Sequence, residues 1–221
     1  MTIDTRPGEY ADLYVRRLGP DSQRARASAV IILSILSRYY EPKSMLDVGC
    51  GLGSWLAAAY EMGIKDIAGI EGPWLDRTLT EVPSDIIVLS DLEKPFNLSR
   101  QFDLATCLEV GEHLSADCAP QFVQSLTSHS RVVLFSAAIP GQGGHHHVNE
   151  QWPDYWSAMF SQFGYVASDI IRPEVWDNGL VLPWLRQNTL LFVHKDMLKQ
   201  FNFPALPIVE SPSRLKHPGP W

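Results

Sequence analysis

The sequence predicts an α/β fold: a three-layer sandwich in which a mostly parallel seven-stranded sheet carries helices on both faces. Three observations predict it. Short apolar runs of strand length alternate along the chain with stretches of helical period. Three glycines crowd the junction between the first such run and the helix after it. The chain has 221 residues, 45% of them hydrophobic and 19% charged, which is enough apolar material for one sizeable core.

The elements follow in order. Ala29, Ile32, Leu33, Leu36 and Tyr40 recur near a 3.6-residue period and mark a helix over 20–40, with Asp21 or Ser22 to cap it and Pro42 beyond its end. Ser44-Met45-Leu46-Asp47-Val48 is the first strand. A helix over 54–62 stops at Gly63. Strands at 66–70 and 85–89 flank a short helix at 74–80. A fourth strand covers 102–108, and the helix at 117–127 tolerates Pro120 in its first turn. A strand at 131–136, a helix at 151–163 and strands at 165–171 and 189–194 complete the sheet. The chain thus divides into an N-terminal helical segment (1–40), a main domain (41–196) and a tail (197–221). Pro204, Pro207, Pro212, Pro218 and Pro220 make that tail extended and irregular, and packing, a lid or a contact between copies are all open to it.

The balance of 18 Lys and Arg against 25 Asp and Glu leaves a formal charge of -7. An acidic chain has no general attraction for phosphate backbones or anionic lipid. The one basic cluster, Arg16, Arg17, Arg24 and Arg26, reads as a solvated helix face. Cys50, Cys107 and Cys118 match no zinc spacing and suit a reducing compartment. No apolar run reaches membrane-spanning length. A cytoplasmic protein with a small-molecule or saccharide partner is the expectation, without membrane or nucleic acid, and a homo-oligomer is open.

The most informative stretch is Asp47-Val48-Gly49-Cys50-Gly51-Leu52-Gly53. A dinucleotide-binding turn needs G-x-G-x-x-G to seat a pyrophosphate on a helix N-terminus. Here the spacing is G-x-G-x-G, with an acid two residues ahead. Glu71 ends the next strand, where a carboxylate can accept hydrogen bonds from both hydroxyls of a ribose. With these features the chain resembles the class I S-adenosylmethionine-dependent methyltransferases, which have a Rossmann-like fold. The resemblance covers residues 40–195. It implies that Asp47, Gly49, Gly51, Gly53 and Glu71 bind the cofactor, that Asp91 meets the adenine amine, and that Leu92 flanks the ring. It also places Leu108, at the end of the fourth strand, beside the methionine moiety.

Two segments offer chemistry for the acceptor. Glu109-Val110-Gly111-Glu112-His113 places two carboxylates and an imidazole at i, i+3 and i+4, a plausible divalent-ion site. It resembles the E-x-x-E-H motif of the small-RNA 2′-O-methyltransferases and the ubiquinone-pathway O-methyltransferases. That resemblance implies Mg2+ or another divalent ion on Glu109, Glu112, His113 and a later histidine. The same letters also occur in relatives where the acid and histidine only organise the loop. Pro140 to Trp152 contains three consecutive histidines, and His147-Val148-Asn149-Glu150 resembles a stretch in bacterial sugar and glycan methyltransferases. His147 is the candidate general base or fourth metal ligand, with His113 as the second catalytic candidate; His145 and His146 read as exposed loop residues. Trp152, Tyr155, Trp156, Trp176, Trp184 and Arg186 are candidates for the acceptor side, or for packing.

The expected activity is S-adenosylmethionine-dependent O-methylation of a saccharide or other small molecule. An RNA 2′-O-methyltransferase and an inert binding subunit of the same fold are the alternatives.

Overall fold

The computed structural model describes residues 20–201 and 206–218. Helix α1 (Pro20–Ser37) leads into strand β1 (Ser44–Val48), helix α2 (Ser54–Glu61), strand β2 (Asp66–Glu71) and strand β3 (Ile87–Leu89). Strand β4 (Leu104–Leu108), helix α3 (Ala119–His129), strand β5 (Val132–Ser136) and helix α4 (Pro153–Gln162) follow. The chain continues through strand β6 (Tyr165–Ser168), helices α5 (Arg172–Val175) and α6 (Pro183–Asn188), strand β7 (Leu190–His194) and strand β8 (Ile208–Val209).

The strands form one eight-stranded sheet in the order β3-β2-β1-β4-β5-β7-β6-β8. Strands β1 to β5 pair in parallel; β7 runs antiparallel to both β5 and β6, and β8 antiparallel to β6. This is the expected Rossmann-like sandwich with one strand more than the seven expected. The extra strand comes from the tail: two residues, too short to carry a period, are ordered by the free edge of β6.

Alternation along the strands fills two separate cores. Met45, Leu104, Val132, Leu134, Leu191 and Val193 face the layer built on α1 and α2. Leu46, Ala105, Val133, Phe135, Leu190 and Phe192 face α3 and α4. On that second face Phe160 stacks on Phe192 with ring centroids 4.1 Å apart, and Trp156 tilts against Phe135. Each such buried side chain contributes about 1.5–3 kcal/mol.

Several elements are shorter than their sequence pattern. The expected helix at 74–80 is one turn of 3-10 helix, Arg77–Leu79, capped by the Asp76 carboxylate on the Thr78 amide. The Trp74 indole lies where any side chain on Gly72 would stand, which fixes the chain before that turn. Helix α1 ends at Ser37, so Tyr40 leaves the helix and stacks on Phe201 instead. No helix among the described residues is long and apolar enough to cross a membrane.

Candidate active site

A cavity of about 360 Å³ opens beyond the C-terminal ends of β1 and β4. Its lining runs from Asp47 and the glycine turn, past Leu108, Glu109, Glu112 and His113, to Gln142 and His147, with Trp55, Leu182, Trp184 and Leu185 closing the other side.

The glycine turn has physical reasons for its composition. Gly49, Gly51 and Gly53 have φ of 75°, 57° and 88°, in the left-handed region where L side chains are strained. A Cβ on Gly49 would stand 2.3 Å from Val110 Cγ2, and one on Gly53 2.8 Å from Val82 Cγ2. The turn therefore brings bare backbone to the cavity wall. Asp47 lies opposite Thr106 in the register, and the Thr106 hydroxyl donates to it at 2.6 Å. Burial pushes the Asp47 carboxyl up to about 7; the Thr106 bond pulls it down and the Glu71 charge raises it further. Glu71 accepts from the Gly51 and Gly72 amides, both at 2.6 Å. This carboxylate ties β2 to the glycine turn and does not itself line the cavity. Asp91 caps the turn after β3 by accepting from the Glu93 amide and pairs with Lys94, while Leu92 is buried in the core beneath. Both stand after β3, and neither lines this cavity.

The second half of the site joins two loops. After β4 the chain turns through Glu109, whose φ of 54° is left-handed, into a 3-10 turn over Gly111–His113. Gly111 is needed there because a Cβ would come 2.8 Å from the Trp156 ring. The Glu112 carbonyl accepts from the amides of Val148 and Asn149, which staples the histidine loop onto this turn. As a result Glu112, His113 and His147 each offer a ligand atom within 4.8 Å of one another. Both Glu112 carboxylate oxygens are buried without a hydrogen-bond partner. Burial, then the neighbouring Glu109 charge, pushes the Glu112 carboxyl well up.

The two imidazoles are oriented from outside. His113 Nδ1 donates to the His146 carbonyl at 3.3 Å, and His147 Nδ1 donates to Glu150 Oε1 at 2.9 Å. In His147 this leaves Nε2 to act as a ligand or base, and it lies 4.0 Å from Glu112 Oε1. Glu150 also accepts from the Gly141 and Gly143 amides, at 2.7 and 2.8 Å. It closes the loop and aims the ring together. Burial works against the Glu150 charge, but the His147 bond and the two amides outweigh it and hold its carboxyl low.

Glu109 neighbours Glu112 but is not one of the three residues whose ligand atoms converge. Its oxygens accept from Gln142 Nε2 and Asn188 Nδ2, each at 3.0 Å. Of the aromatic acceptor candidates, Trp184 lines the cavity and Trp156 is core. Trp176 packs on His217, and Arg214 lies over the Trp152 ring. His145 lines the cavity as well. Arg24 and Arg26 are on α1, where Arg26 pairs with Glu61 and Glu81; Arg16 and Arg17 lie outside the described residues. Sequence reasoning did not single out Glu150, Gln142 or Asn188.

The strand order and the glycine crevice define a class I methyltransferase. A family profile described as a methyltransferase domain matches residues 6–181, and the chain belongs to that family of S-adenosylmethionine-dependent enzymes. Among solved structures, the sugar N-methyltransferase KedS8 of a Streptoalloteichus species superposes with a TM-score of 0.61 at 20% identity, covering 83% of this chain and 92% of that one. DesVI of Streptomyces venezuelae gives 0.59 at 18%, covering 88% and 100%. The plantazolicin methyltransferase BpumL in complex with SAH and a pentazolic desmethylPZN analog gives 0.54 at 14%, covering 87% and 92%. At these identities the likeness speaks for the fold. No curated protein sequence matches the chain significantly.

Proposed function

We propose that this enzyme methylates a hydroxyl of a saccharide or other small molecule, with a divalent ion on Glu112, His113 and His147. The buried Glu112 carboxylate carries the reading. Two oxygens without partners are costly unless a cation or proton meets them. The donor set fits: one carboxylate and two imidazoles suit a first-row divalent ion or Mg2+ with water. Histidine ligands characteristically donate their other ring N–H to an oxygen, as both imidazoles do here. A divalent ion there would acidify and orient an acceptor hydroxyl, and S-adenosylmethionine supplies the methyl group on its sulfonium carbon.

The chain's own residues do the rest. Gly49, Gly51 and Gly53 admit the nucleoside, with Asp47 and Glu71 as the acids beside it. His147 Nε2 works either as ligand or as the base that takes the hydroxyl proton. Trp184 and His145 give the acceptor a flat, amphipathic wall. The net charge of -7 opposes RNA as acceptor. The intact glycine turn and acids oppose an inert subunit.

The test is methyl transfer to a panel of sugars and amino sugars, before and after chelation, with Mn2+ binding followed by electron paramagnetic resonance. The expected outcome is transfer to oxygen, lost on chelation and in His147→Ala, and restored to the wild type by Mn2+. Full activity in chelated protein rejects the ion, and product methylated only on nitrogen rejects the hydroxyl acceptor.

A further inference from the structure

The C-terminal tail reaches the active site through three side-chain amides. The His217 backbone N–H donates to Gln187 Oε1 at 2.7 Å. Gln187 Nε2 then donates to Gln142 Oε1 at 3.2 Å and Asn188 Oδ1 at 2.9 Å. Asn188 Nδ2 donates to Glu109 Oε1 at 3.0 Å, and Gln142 Nε2 donates to Glu109 Oε2 at 3.0 Å.

The polarity of this chain is set at both ends. A backbone N–H can only donate, and at the other end the Glu109 oxygens meet two amide N–H donors; burial pushes the Glu109 carboxyl up, and the Asn188, Ser136 and Gln142 bonds oppose that and favour its anion. With those ends given, one orientation of the three amides satisfies every bond, and reversing any amide sets donor against donor. Gln187 and Asn188 are almost fully buried, so water does not substitute for a lost partner. The His217 end is itself anchored, since its ring bonds the Trp176 carbonyl through Nε2 at 2.8 Å and packs on that indole.

We infer that the tail is a working part of the active site: His217 polarises the Gln187, Asn188 and Gln142 amides so that they clamp Glu109 as a fixed anion in the cavity wall. Glu109 follows Leu108 at the end of β4, on the side where the methionine moiety of the methyl donor would lie. A clamped anion there favours the cationic donor and the cationic end of its product. Gln187, Asn188 and Gln142 are positioning residues that act through Glu109. This rests on the methyl-donor site proposed above.

The test is a double-mutant cycle read by calorimetric binding of S-adenosylhomocysteine. Gln187→Met keeps the volume of the side chain and removes both its hydrogen-bonding roles. It should weaken binding roughly tenfold, as expected for loss of support to a charged hydrogen bond. In a Glu109→Gln background the same change should have little further effect, because there is no longer an anion to clamp. Independent effects in the two backgrounds would reduce the tail to packing and overturn the inference. Hydrogen exchange at the His217 amide gives a readout that needs no ligand: it should be slow in the wild type and faster in Gln187→Met. A fast-exchanging His217 amide in the wild type overturns the relay. Wild-type protein that protects this amide yet ignores S-adenosylhomocysteine would instead overturn the donor site and, with it, the purpose assigned to the clamp.

Discussion

Asp47 is the buried acid of the glycine turn, and burial lifts its carboxyl from an ordinary 3.8 to about 7. The folded chain then holds this proton more tightly than the unfolded chain. Its contribution to stability is complete below about pH 4 and is lost as pH rises through about 7. Unliganded protein should therefore melt at a lower temperature at pH 8 than at pH 5, and Asp47→Asn should flatten that slope while weakening S-adenosylhomocysteine binding. A parallel slope in the variant would assign the pH dependence to other groups. Glu150 makes a different prediction. Replacing it with Gln leaves too few acceptors for His147 and two amides, so Mn2+ affinity should fall by roughly 10–100-fold. Binding of S-adenosylhomocysteine, at the other end of the cavity, should change little. Residues of the first kind were legible in the sequence because Asp47 and Glu71 stand at prescribed distances from glycines. Glu150, Gln142 and Asn188 were not, because nothing in their spacing foretells that one loop after β5 and the end of α6 bring them to His147 and Glu109.

At the level of elements, the β1–α2 junction shows how closely the backbone is specified. Gly49→Ala would add a methyl group 2.3 Å from Val110 Cγ2 on a residue with φ of 75°. The left-handed conformation and the overpacking together cost roughly 2–4 kcal/mol. Denaturant titration should show this loss, and Val110→Ala in the same chain should recover only the overpacking share. Complete recovery would mean that the backbone conformation carries no cost. The strands and longer helices were legible from period alone, since alternate residues of β5 and β7 divide cleanly between the two cores. The short elements were not. Arg77–Leu79 and Gly111–His113 owe their shape to contacts with Gly72, Trp74 and Trp156 rather than to any helical repeat.

For the whole molecule, the tail is held at four places besides Phe201 and His217. Strand β8 pairs with β6, Ser168 donates to the Pro207 carbonyl, Arg172 donates to the Ser213 carbonyl and Arg214 pairs with Asp154. Arg172 is fully buried and also grips Asp169 through two hydrogen bonds. Arg172→Met leaves that carboxylate without its partner and frees the tail, which should cost about 3 kcal/mol. Limited trypsin digestion should then cut after Arg214 and Lys216 well before the rest of the chain. Equal resistance in variant and wild type would show that Arg172 does not hold the tail. Proline content announced an extended segment here, but not its destination, because the edge of β6 and the Arg172 guanidinium lie some forty residues away in sequence.

Strand β7 runs against its neighbours, so Gln187 and Asn188 arrive at the ligand edge as the chain enters a strand, whereas Asp47, Glu71 and Leu108 lie there because it leaves one. During synthesis the glycine turn and the acids beside it can take shape while the ribosome is still translating codons for β6. Gln187 and Asn188 must wait for the end of α6, so a nascent chain halted before residue 187 has the glycine turn but lacks the Asn188 amide that holds Glu109.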